Sequence, residues 1–72
     1  LKKPSKELKD FGKIVRLLRL KATLTQEQLA EKIGCHANHL GRIERGQTEP
    51  SFSMLIKLAR ALKVSIREIM PE

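Results

Sequence analysis

Apolar side chains recur along residues 6–21, KELKDFGKIVRLLRLK, at Phe11, Val15 and Leu18, with Leu8 one turn earlier. That i, i+4, i+7 spacing is one face of a helix, and Ser5, after Pro4, is positioned to cap its start. Ile14 and Leu17 fall off the stripe and predict a second, partly buried side. Gly12 interrupts this helix at a cost of about 1 kcal/mol against alanine, which marks a close approach by another helix.

The next apolar face is shorter. TQEQLAEKI opens on Thr25 with Gln28 three residues on, the spacing at which each side chain satisfies the other residue's free backbone N–H. Leu29, Ala30 and Ile33 form its buried side, and Gly34 comes next, where a helix stops in the left-handed conformation. After a short turn comes ANHLGRIER, with Leu40 and Ile43 apolar and Gly46 closing it. Two helices this short, joined by a glycine-containing turn, cross steeply, at roughly 90–120°, as a helix-turn-helix.

QTEPS reads as a loop, because Pro50 disfavours a helical Glu49, and Ser51 can cap a helix beginning at Phe52. FSMLIKLARAL repeats apolar residues at Leu55, Leu58, Ala59 and Leu62, a fourth helix. In SIREIM, Ser65 and Glu68 stand at capping-box spacing before Ile69 and Met70, and Pro71 ends the element. The pattern therefore predicts an all-α fold of five helices, with no strand signal, repeat or low-complexity segment.

Composition narrows the picture. A chain of 72 residues is one small domain, and at that size only about 60% of the unfolded surface is buried, so a partner subunit is a natural addition to a thin core. Phe11 and Phe52 are the only aromatic residues, which leaves packing to aliphatic side chains. The formal net charge is +7, and it is uneven: residues 1–22 carry eight cations against two anions, whereas the remaining two thirds are nearly balanced. A field of that sign favours a polyanion such as nucleic acid. With one cysteine and no apolar run near the ~20 residues a membrane span needs, a cytoplasmic protein without membrane association is expected.

GCHANHLGRIERG, residues 34–46, gathers the only cysteine and both histidines into five residues. A structural zinc site needs four ligands, and Cys35, His36 and His39 find no second thiol, so no metal is expected. Cysteine catalysis needs a water-excluding pocket and an oriented base, which a thin helical domain does not supply, so the chain reads as a non-enzyme without cofactor or small-molecule ligand.

LTQEQLAEKIG, then LGRIERGQTEPS, then LIKLARALKVSIREI, resembles the Cro/repressor-type (XRE) helix-turn-helix family, which includes phage Cro-like and restriction-modification controller proteins. The match covers residues 8–70 and implies a lambda-repressor-like domain there, preceded by a basic arm at residues 1–7, with the helix-turn-helix at residues 25–45. The resemblance implies that residues 25–33 support and residues 36/37–45 recognise, the start of the second helix entering the major groove of double-stranded DNA.

On that reading His36, Ala37, Asn38, Gly41 and Arg42 face base edges, while Leu40 and Ile43 point inward. Arg42 suits guanine, since a guanidinium donates two parallel hydrogen bonds to O6 and N7, and Asn38 suits adenine. His36 also fits a capping role. Gln26 resembles the family's phosphate-contacting glutamine; His39, Arg45, Gln47 and Thr48 border the sugar-phosphate backbone, and Lys6 joins Lys2, Lys3, Lys9 and Lys13 as a phosphate-seeking flank. Arg19 and Glu44 resemble a structural ion pair. The chain departs from the family at His36, where Ser or Thr is usual, at Ala37, and at the side-chain-free Gly41.

Ile66, Ile69 and Met70 exceed what the core needs and mark a homodimer surface, implying a symmetric dimer on a palindromic operator with half-sites roughly 34–36 Å apart. The competing expectation is a protein-interaction module, an antitoxin or coactivator, that uses the same fold to dock a protein.

Overall fold

The computed structural model describes residues 5–72. Its elements are α1 (Lys6–Lys21), α2 (Gln26–Ile33), α3 (Ala37–Glu44), α4 (Phe52–Leu62) and α5 (Ile66–Ile69), with no strand among the described residues. Lys2 and Lys3, expected in the basic arm, lie outside the described residues. Lys6 and Glu7 form the first turn of α1, in keeping with the helix expected over residues 6–21 and the Ser5 cap: its Oγ accepts from the Leu8 N–H at 3.1 Å.

Capping chemistry sets the other boundaries. Thr25 Oγ1 accepts from the Gln28 N–H at 3.0 Å while Gln28 Oε1 accepts from the Thr25 N–H at 2.9 Å, so two otherwise free donors are satisfied reciprocally. Ser65 and Glu68 repeat the arrangement at 3.2 and 2.7 Å, which allows a helix of only four residues. Gly34 ends α2 at φ +75°, a conformation glycine adopts without penalty. Lys63 ends α4 in the same left-handed region, at φ +59°.

Val15, Leu29, Leu40, Ile43, Leu58 and Ile69 are fully buried, one or more from every helix, with Phe11 and Ile33 beside them. Burying a leucine or isoleucine completely is worth about 1.5–3 kcal/mol, so these six dominate the stabilisation of so small a core. Ile69 is a correction to the expected dimer surface: its exposure is 0%, and it is part of the core cluster. In a single-turn helix only one of Ile66, Ile69 and Met70 points fully inward, and it is the central one. Phe52, by contrast, is 75% exposed at the start of α4.

Gly12 fixes how α1 meets α3. A Cβ there would overlap the backbone carbonyls of Ile43 and Glu44, so only glycine lets the two helices approach this closely. That approach brings Arg19, two turns further along α1, against the end of the helix-turn-helix. No helix among the described residues is long and apolar enough to cross a membrane.

Candidate nucleic-acid interface

Gly34, Cys35 and His36 join α2 to α3, and the zero exposure of Leu40 and Ile43 pins α3 to the core on one side. The opposite side presents Asn38, Arg42 and Arg45, all exposed. Spacings of four and three residues put these on one helical face.

His36 occupies the N-cap of α3 with extended backbone, yet its side chain makes no capping hydrogen bond. The capping role expected of it is therefore not met. The first turn of α3 holds no acidic residue either, so its unpaired N–H groups and the positive end of its dipole are open to an outside acceptor.

Two positions expected to read bases face elsewhere. Ala37 packs partly against the core. Gly41 is buried, and a Cβ on it would stand 3.1 Å from Arg45 Nη1 and 3.6 Å from Gln26 Oε1. Gly41 thus lies under the ends of the Gln26 and Arg45 side chains. Outward-facing polar chemistry on α3 narrows to His36, Asn38, Arg42 and Arg45, with His39 half-buried between them.

Beneath this face lies a buried polar network. Arg19 Nε donates to Glu44 Oε2 at 2.7 Å and Nη2 to Oε1 at 3.1 Å, while Nη1 donates to the Leu24 carbonyl at 2.8 Å. Gln26 Nε2 donates to the same Glu44 Oε1 at 3.0 Å. No buried side-chain polar atom among the described residues lacks a partner, which is what makes burial of two charges tolerable. Gln26 is therefore committed at its amide nitrogen, leaving its backbone N–H at the start of α2 and its Oε1 uncommitted.

Past α3, Arg45 Nε donates to Gln47 Oε1 at 3.3 Å, with Gln47 exposed and Thr48 half-buried. Gly46 turns the chain at φ +72° directly against Lys9: a Cβ on it would sit 2.8 Å from the Lys9 Cα. Lys9 is thus the α1 cation packed against Gly46, just before Gln47 and Thr48. Lys6 is paired with Asp10 at 2.7 Å, and this hydrogen bond raises the Lys6 ammonium and lowers the Asp10 carboxyl relative to their ordinary values. Sequence alone had no means of choosing among five lysines; the only signal was the Gly46 turn, whose tight fit demands a partner.

Cys35 is half-buried and packs against the core, and burial pushes its thiol up, keeping it protonated at neutral pH. Among the described residues no three of His, Cys, Asp and Glu converge as metal ligands.

A helix-turn-helix family model, HTH_3, matches residues 15–69. The control protein C.SmaI of Serratia marcescens is 41% identical over 56 residues, spanning 78% of this chain and 67% of that protein. The immunity repressor protein of Bacillus phage phi105 is 38% identical over 61 residues, 85% of this chain but only 42% of the repressor. Among solved structures, the restriction-modification controller protein C.AhdI from Aeromonas hydrophila superposes with a TM-score of 0.89 at 38% identity, covering 92% of this chain and 100% of that one.

Proposed function

Since this chain belongs to the HTH_3 helix-turn-helix family, the XRE-type DNA-binding transcriptional regulators, we propose that it reads a specific operator in double-stranded DNA as a homodimer, α3 lying in the major groove. The observation that carries the reading is the Asn38–Arg42–Arg45 face, exposed on a helix whose other side is anchored by Leu40, Ile43 and the Arg19–Glu44 pair. Base readout needs side chains held in register, and a helix fixed at its inner face and its C-terminal end supplies that.

In this reading Arg42 donates to guanine and Asn38 pairs with adenine. The free backbone N–H groups at the starts of α2 and α3, at Gln26 and after His36, receive phosphates, as do Arg45, Gln47, Thr48 and Lys9. His39 stands at the margin of the groove. The dimer surface is built on Ile66 and Met70, 38% and 43% exposed at and just after α5. Occupancy of the operator then depends on protein concentration in the cytoplasm, through dimerisation.

Selection of bound sequences from a random duplex library tests this. A two-fold symmetric consensus with half-sites roughly 34–36 Å apart is expected. Recovery of no consensus would overturn the sequence-specific reading.

A further inference from the structure

A shallow concavity of about 400 Å³ lies between the C-terminal parts of α2 and α4, lined by Lys32, Lys57, Arg60, Ala61 and Lys63. Four of these five residues are exposed cations and none is acidic, and α4 carries no acidic residue along its length. The ion pairs of the described residues, Lys6–Asp10 and Arg19–Glu44, involve none of them. Each helix end contributes about half a negative charge, so the two together offset only about one of the four positive ones. What is left favours an anion.

Two observations point to which anion. Burial pushes the Cys35 thiol up and the Lys57 ammonium pulls it partly back, so Lys57 stands near Cys35. Cys35 directly precedes His36, the N-cap of α3, whose uncapped N–H groups are already phosphate candidates. The patch is therefore continuous with the start of α3. Direction is the second observation: Gln47, Thr48 and Pro50, which follow α3, line one groove with Met70. Thus α3 ends beside the proposed dimer surface and begins away from it. In a dimer closed at Met70, each α3 start, with Lys57 beside it, points toward an outer end of the operator.

We propose that Lys32, Lys57, Arg60 and Lys63 hold the sugar-phosphate backbone of the same duplex just outside each half-site, so that flanks of any sequence belong to the binding site. The proposal rests on the operator reading above. Lysine and arginine on a shallow surface suit a backbone of regularly spaced single charges, and such contacts add affinity and salt dependence without reading bases. An acidic protein segment could meet the same charges. Only DNA already bound at α3, however, is held beside them at high effective concentration.

The test is operator affinity, measured by anisotropy across salt on two duplexes: the two half-sites alone, and the same site with about 10 base pairs of arbitrary sequence on each side. The longer duplex is expected to bind at least about fivefold more tightly at low salt, with a salt slope steeper by about two to four. Lys57→Gln/Arg60→Gln is expected to remove most of that gain and leave binding to the short duplex within about threefold, whereas Arg16→Gln/Lys21→Gln, the same loss of charge at exposed positions of α1, preserves the gain. Equal affinity of the parent for the two duplexes, both still preferred over a scrambled one, would overturn the proposal and leave the operator reading standing; no preference over the scrambled duplex would overturn both. A gain that survives Lys57→Gln/Arg60→Gln, or a glutamate-rich peptide that binds through Lys57 and Arg60 while the longer duplex stays bound, would also overturn it.

Discussion

The guanidinium of Arg19 and the carboxylate of Glu44 meet in a two-pronged contact, Nε to Oε2 at 2.7 Å and Nη2 to Oε1 at 3.1 Å, with both side chains almost wholly buried. This pair ties α1 to the end of α3, and Gln26 draws α2 into the same knot through Glu44. Removing either charge leaves the other buried without compensation, at about 3–5 kcal/mol. A domain this small has a total stability of roughly 4–11 kcal/mol, so Arg19→Ala and Glu44→Ala are expected to be largely or partly unfolded in urea titrations at 25 °C. Arg19→Met/Glu44→Leu is expected to recover most of the loss, because an apolar pair leaves no orphaned charge. A double variant as unstable as the singles would show that the pair matters for something other than mutual compensation.

Two helical glycines should respond oppositely to alanine. At Gly12 the new Cβ meets backbone carbonyls of α3 that cannot move aside, so Gly12→Ala is expected to cost at least about 3 kcal/mol despite its better helix propensity. At Gly41 the nearest atom is the far end of the flexible Arg45 side chain, and Gly41→Ala is expected to gain up to about 1 kcal/mol. Thermal unfolding of the two variants checks the contrast.

Ile69 and Met70 are neighbours with different fates. Met70→Asp is expected to shift the sedimenting species toward monomer while keeping helical circular dichroism, since Met70 is 43% exposed. Ile69→Asp puts a carboxylate where exposure is 0% and is expected to unfold the domain outright. An unchanged sedimentation profile for Met70→Asp would remove the C-terminal dimer surface.

Cys35 offers a pH readout. Burial raises its thiol, so the thiolate is scarcer at neutral pH than for an exposed cysteine. Alkylation by iodoacetamide is expected to be slow at about pH 7.5 and to accelerate as pH rises past about 9. Rapid reaction at neutral pH would contradict the packing assigned to it.

Element starts were the most legible part of the fold, because Thr25–Gln28 and Ser65–Glu68 write their reciprocal hydrogen bonds into local spacing. Gly12 was legible for a similar reason: its cost in a helix demands a close neighbour. What sequence could not resolve was direction around a short helix. Nothing local separates Ile69, which is core, from Ile66 and Met70, which are not, and nothing reveals that Gly41 lies under Gln26 and Arg45.

The central claim is that Arg42 on the exposed face of α3 reads DNA sequence. The direct measurement is the affinity of parent and Arg42→Ala protein for the selected operator and for a scrambled duplex of equal length, each across a range of salt. Loss of a bidentate base contact is worth about 1–3 kcal/mol, so Arg42→Ala is expected to weaken operator binding roughly five- to 150-fold, with a much smaller change on the scrambled duplex. Equal affinity of the parent for both duplexes, unaltered by Arg42→Ala, would contradict it.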